Sequence, residues 1–157
     1  MKKIYKSIIL FSLLLLTACG YTPLYIAKKE NFYISEIQSN NKNNYYYYFK
    51  NHLKSYMQGD QVNKKNLKIE IDLSKNKKTI SKDSKGNPLI YSLEISSNVK
   101  VLEDENLVLT KKIQKKFKYN NKSDIFELYR YEEKVEKNLI KLISDDIIFF
   151  ISKNIEN

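Results

Sequence analysis

Cys19 is the only thiol in the 157-residue chain, and the residues before it define what it can do. Met1-Lys2-Lys3 and Lys6 make a basic start, an apolar run extends from Ile8 to Leu16, and Thr17-Ala18 bring small side chains up to Cys19-Gly20. These are the parts of a secretory signal peptide, and the apolar run is shorter than the ~20 residues a membrane-spanning helix needs. A cysteine just past the cleavage point marks the lipoprotein class. Its thiol accepts a diacylglyceryl group, and cleavage between Ala18 and Cys19 frees the amine for a third acyl chain. Each buried methylene of those chains holds the protein to a bilayer by ~0.8 kcal/mol, so one chain anchors marginally and three anchor durably. The expectation is therefore a removed signal over residues 1–18, a lipidated Cys19 with a tether to residue 30, and a single domain over residues 31–157. Gly20, in place of an Asp after the cysteine, favours the outer membrane on its periplasmic side. With its thiol carrying lipid, the chain can form no internal disulfide and must stand on its core.

The remaining inventory argues against catalysis and expects no cofactor. His52 is the sole histidine and neighbours an apolar helical stripe, where a packed structural role is the simpler reading. One His and one lipidated Cys cannot supply a zinc set, so no metal is expected. Asp145-Asp146 are adjacent on a helix and diverge, which makes a poor acid–base pair. Three glycines supply no phosphate-cradling loop. Tyr45-Tyr46-Tyr47-Tyr48 must split between core and surface on a helix, and a lipid-anchored periplasmic chain is not expected to meet nucleic acid.

What the chain offers in quantity is positive charge. Lys plus Arg number 28 against 18 acidic residues, a formal +10, and Arg130 is the only arginine. Lys75, Lys77, Lys78, Lys82 and Lys85 form one cluster, and Lys111, Lys112, Lys115, Lys116 and Lys118 a second. Two readings stand side by side: a surface built to meet anions, or AT-rich codon usage that fills solvated positions with lysine. Arginine would be the better bidentate phosphate reader.

The elements that must carry these groups follow from periodicity. Phe32 to Gln38 reads as a strand. Ser39-Asn40-Asn41 and Asn43-Asn44 offer caps for a helix with Tyr45, Phe49, Leu53, Tyr56 and Met57 on one face and Gly59 as its stop. Leu67, Ile69, Ile71 and Leu73 alternate with Lys68, Glu70 and Asp72, a strand buried on one side. The turn cluster Asp83-Ser84-Lys85-Gly86-Asn87-Pro88 starts a hairpin whose second arm places Leu89, Tyr91, Leu93, Ile95, Val99 and Val101 on one parity. After Asp104-Glu105-Asn106, Leu107, Leu109, Ile113, Phe117 and Tyr119 continue as a fourth strand. Lys111 and Lys115 share its apolar parity, so either a bulge shifts the register or this inner face is only partly covered. Ser123 or Asp124 opens a long helix with Leu128, Val135, Leu139 and Leu142 on one stripe. Its end, Ile147-Ile148-Phe149-Phe150-Ile151, is apolar on every side, and is either sandwiched within the fold or a partner contact. The order β-α-β-β-β-α predicts an α+β fold: a four-stranded, largely antiparallel sheet with two helices packed on one face.

This order, together with the opening Cys19-Gly20-Tyr21-Thr22-Pro23-Leu24-Tyr25, resembles the LPS-assembly lipoprotein (LptE) family, in particular its short alphaproteobacterial-type members. The resemblance spans the mature chain. It implies a plug for the outer-membrane β-barrel LptD that assists barrel assembly and the insertion of lipopolysaccharide into the outer leaflet. It also implies lipopolysaccharide contacts through basic side chains near the hairpin end, which places Lys75, Lys77, Lys78, Lys82, Lys85, Lys111, Lys112, Lys115 and Lys116 as candidates. The alternative is a lipid-anchored periplasmic protein that binds anionic lipid as an auxiliary of a lipid-transport ABC system.

Overall fold

The computed structural model describes residues 30–58 and 61–155; the signal segment, Cys19, the tether and Gly59 lie outside the described residues. Seven elements follow one another: β1 (Phe32–Gln38), α1 (Asn44–His52), α2 (Lys54–Met57), β2 (Lys65–Lys82), β3 (Pro88–Glu103), β4 (Asn106–Asn120) and α3 (Ile125–Ile155). The strands form one sheet in the order β1-β2-β3-β4. β1 runs parallel to β2, because α1 and α2 carry the chain back across one face before β2 begins. The other two pairings are antiparallel hairpins. The architecture is therefore α+β, with a mostly antiparallel four-stranded sheet and its helices packed on one face, as the periodicity predicts.

Local chemistry sets the boundaries. Asn43 caps α1 by accepting from the Tyr46 amide, and Asp124 caps α3 by accepting from the Phe126 and Glu127 amides. In the β2–β3 turn the Asp83 carboxylate accepts from the Lys85 and Asn87 amides, and Gly86 takes φ +87°, where a side chain would be strained. At the β3–β4 turn Asp104 and Glu105 both take positive φ, the two-residue connection whose twist suits a hairpin. The helix expected to run through Met57 breaks at Leu53, which is fully buried and separates α1 from the short α2.

The core lies between the sheet and the helices. Leu67, Ile69, Ile71 and Leu73 of β2 and Leu93, Ile95, Val99 and Val101 of β3 meet Phe49 and Leu53 from α1 and its edge, and the isoleucines of α3. Tyr46, which periodicity alone had not placed in the core, is also buried and donates its phenol proton to the Ile37 carbonyl oxygen at 2.9 Å.

α3 departs from the expected stripe in an instructive way. Its buried residues recur every fourth position: Val135, Leu139, Ile143, Ile147, Ile151 and Ile155 in one row, and Glu136, Ile140, Ser144 and Ile148 in the next. A helix turns once per ~3.6 residues, so a row with spacing four drifts by roughly 40° at each step. The buried face thus rotates along α3, as a long straight helix requires when it lies on a twisted sheet. Leu142, expected on the core stripe, is 48% exposed for this reason. The same drift sinks Ile147, Ile148 and Ile151 into the core, leaves Phe150 half-buried, and exposes Phe149. Of the five residues proposed for partner contact, only Phe149 stands clear of the fold's own packing.

Leu139→Asp should lower unfolding free energy by about 3 kcal/mol or more, since it buries an unpaired carboxylate, while Leu142→Asp should stay within about 0.5 kcal/mol. Urea denaturation of the two variants checks this. Equal losses would show that the four-residue rows are not the buried face.

Candidate functional site

Strand alternation divides the lysine clusters between two environments. Side chains at i and i+2 share a face, so Lys75 and Lys77 continue the row of Leu67, Ile69, Ile71 and Leu73 and point toward α3. They are not turn residues: β2 runs on to Lys82 and keeps them inside the sandwich's edge. Lys75 Nζ meets Glu136 Oε1 at 2.6 Å, and Lys77 pairs with Glu132. The spacing fits. Two strand residues advance ~6.6 Å and one helical turn of four residues ~6 Å, so a lysine pair at i, i+2 matches a glutamate pair at i, i+4.

These pairs are partly dehydrated, with the glutamate side chains only 11% and 12% exposed. Burial alone would lower the Lys75 pKa, but the hydrogen bond and charge of Glu136 outweigh it and the net displacement is upward. Tyr119 donates to Glu132 at 2.6 Å, and burial, then that hydrogen bond and the Glu132 charge, hold its phenol well above the ordinary tyrosine range. Lys77 Nζ also lies 4.1 Å from the Tyr91 ring centroid. On β4, Lys111 and Lys115 occupy the same inner face with no bulge between them. The one register shift of the β3–β4 ladder falls earlier, between Val101 and Leu102. Lys115 pairs with Asp146 at 2.6 Å, and Lys111 Nζ lies 4.3 Å from the Phe150 ring centroid. Partial covering by α3, not a slipped register, accounts for these two lysines.

The other parity faces away from the helices. Lys78 pairs across the ladder with Ser92, and Ser92 with Lys118, so the three form one rung on the open face. Lys116 sits on the next rung beside Glu94, and Lys112 two rungs further beside Asn98. None of Lys78, Lys112, Lys116 or Lys118 makes an ion pair among the described residues. Ser92 is 3% exposed, and its hydroxyl is the one buried side-chain polar atom among the described residues with no hydrogen-bond partner. The two lysine clusters therefore converge at the Lys78–Ser92–Lys118 rung. Lys82 and Lys85 lie beyond it at the hairpin end.

Sequence reasoning missed Glu132 and Glu136, the residues that neutralise two of the five lysines in the first cluster. Their i, i+4 spacing opposite a strand with Lys at i, i+2 was the available signal. His52 Nε2 lies 2.9 Å from Asp145 Oδ1, and the contact ties α1 to α3 on the protein's outer side. Among the described residues no group of three or more His, Cys, Asp or Glu side chains could hold a metal ion.

No protein-family model matches the chain, and no curated protein matches its sequence. Solved structures do match its fold. Rare lipoprotein B from Shewanella oneidensis superposes with a TM-score of 0.60 at 18% identity, over 79% of this chain and 98% of that one. Lipoprotein B from Nitrosomonas europaea gives 0.59 at 15% identity, over 77% and 83% of the two chains. A minor lipoprotein from Acinetobacter baumannii gives 0.57 at 11% identity, over 77% and 90%. At these identities the likeness establishes a shared fold.

The inner-face network carries a pH signature. Lys75 and Tyr119 both have folded-state pKa values raised above their unfolded ones, so their contribution to stability is complete below about pH 10 and is lost as pH rises through the folded values. Melting temperature should fall as pH rises above about 10, and fall less steeply in Tyr119→Phe. An identical slope in that variant would remove Tyr119 from the network.

Proposed function

We propose that this chain is a lipid-anchored envelope protein of the LPS-assembly lipoprotein class, acting as the plug and assembly partner of the outer-membrane barrel LptD. In this reading it works by binding rather than catalysis. The carrying observation is the fold likeness to rare lipoprotein B, which extends over 98% of that chain. The signal and Cys19-Gly20 motif in the sequence supports it independently. Acyl chains on Cys19 would hold the domain at the periplasmic face of the outer membrane.

Within this reading the lipopolysaccharide-binding candidates narrow by strand parity. Lys75, Lys77 and Lys115 already have carboxylate partners in α3, and Lys111 lies over Phe150. Lys78, Lys112 and Lys116, joined by Lys118, keep their charge available on the open face. Lys78 and Lys118 flank Ser92 on one rung of the open face, and two ammonium groups brought to one rung suit a phosphate oxygen.

Replacing Lys78, Lys112, Lys116 and Lys118 together by Gln should weaken lipopolysaccharide binding by about tenfold or more and flatten its salt dependence, with little change in melting temperature. Replacing Lys75, Lys77 and Lys115 should do the reverse, lowering the melting temperature first. Affinity purification from outer membranes tests the partner: a barrel should co-purify at near-stoichiometric yield. Recovery of anionic lipid with no barrel would favour the lipid-transport auxiliary instead. Cys19→Ala should leave an unanchored or unprocessed species, and its retention on outer membranes after a high-salt wash would contradict anchoring through Cys19.

A further inference from the structure

The hairpin end of the molecule carries exposed apolar side chains that the fold does not use. Ile125, Phe126 and Tyr129, on the first turns of α3, are 72%, 76% and 69% exposed. Leu89 and Ile80 on the adjoining β2–β3 hairpin are each 48% exposed. The two groups belong to one tip, because the Asn121 amide donates to the Leu89 carbonyl oxygen at 2.8 Å and the Asn121 side chain donates to the Pro88 carbonyl oxygen at 2.9 Å. The opposite end is where the chain enters β1 and where Lys65 Nζ donates to the Ile155 carbonyl oxygen. β2 alone spans 18 residues, or roughly 60 Å at ~3.3 Å per residue, so the tip is far from the tether's point of entry.

The charge around this tip has one sign to spare. Lys82 and Lys85 lie at the β2–β3 turn, Lys78 and Lys118 share a rung of the ladder toward it, and Lys122 and Arg130 lie at the start of α3, against Asp83, Asp124 and Glu127. All three carboxylates are engaged within the fold: Asp83 holds the turn, Asp124 caps α3, and Glu127 pairs with Lys122. We propose that the tip is a lipid-docking surface, in which Ile125, Phe126 and Tyr129 enter the interfacial region of a bilayer while the surrounding cations meet anionic headgroups. Aromatic and aliphatic side chains backed by Lys and Arg have the composition of an interfacial membrane contact. The shape agrees. The apolar side chains project from a helix start and a hairpin, and a groove at this end, walled by Lys118, Tyr119, Asn120, Asn121, Lys122 and Tyr131, includes none of them. A protein partner would need complementary relief over ~1,200 Å² or more, whereas a fluid interface accommodates a convex tip.

This contact is separate from the acyl anchor; it shares Lys78 and Lys118 with the lipopolysaccharide reading, and a variant of the apolar residues, which leaves those lysines in place, tests it alone. The test uses the chain from residue 19 with Cys19→Ser, which removes the acyl chains, in co-sedimentation with phosphatidylcholine vesicles and with vesicles of phosphatidylcholine and phosphatidylglycerol in equal parts. Binding is expected to the anionic vesicles and to weaken with salt. The triple variant Ile125→Ser, Phe126→Ser, Tyr129→Ser should lose at least about tenfold in partitioning with its melting temperature unchanged. The pair Leu142→Ser, Phe149→Ser, exposed on the outer side of the same helix, should bind as the parent does. Absence of binding to anionic vesicles, or equal losses from the two sets, would overturn the proposal.

Discussion

Halfway along β2 the row of side chains that faces the helices changes from leucine and isoleucine to lysine, and the packing of α3 depends on that change. A strand cannot turn Lys75 and Lys77 outward without turning Leu73 and Ile71 outward as well. The two ammonium groups must therefore be met from above, and Glu136 and Glu132 meet them one helical turn apart. Removing either partner leaves a partly dehydrated charge, a larger penalty than an exposed surface pair would incur. The network extends to Tyr119 and Tyr91, and a separate pair joins Lys115 to Asp146, so the sandwich has an apolar half near the start of β1 and an ionic and aromatic half toward the hairpin.

The same alternation organises the open face. Near the start of the sheet its lysines and acids balance: Lys68 lies near Glu36 and Glu105, and Lys100 near Glu70. Toward the hairpin, lysines outnumber acids and have no ion-pair partner among the described residues. Among the described residues the lysines of the open face are thus concentrated where the inner face is already neutralised. Codon drift could supply the lysines. It does not by itself explain why three of the inner ones face carboxylates while Lys78 and Lys118 of the outer ones share one rung.

Much of the fold was legible because its signals are local. The period-2 runs of β2 and β3, the Asp-to-Pro turn cluster, and the Asp124 cap each act within a few residues. The direction of Lys75 and Lys77 was also legible, since they share parity with Leu67 to Leu73, yet proximity to the turn grouped them with the ligand-binding candidates of the hairpin end. Three features depend on distant residues. The break at Leu53 follows from packing on the sheet, the drift of α3's buried face from sheet twist, and the pairing of Glu132 and Glu136 from contacts 55 and 61 residues away. The lipidation motif is the reverse case, read in the sequence at residues that lie outside the described structure.

Amine reactivity, read lysine by lysine, tests the account most directly. Brief acetylation of the folded protein followed by peptide mass spectrometry compares every lysine in one experiment. The account predicts that Lys78, Lys112, Lys116 and Lys118 react fast, and that Lys75, Lys77 and Lys115 react at least several-fold more slowly, since a hydrogen-bonded, partly buried ammonium must first lose its carboxylate. Unfolding in urea should abolish the difference. Uniform rates in the folded protein would contradict the division of the sheet into a pinned face and an open one.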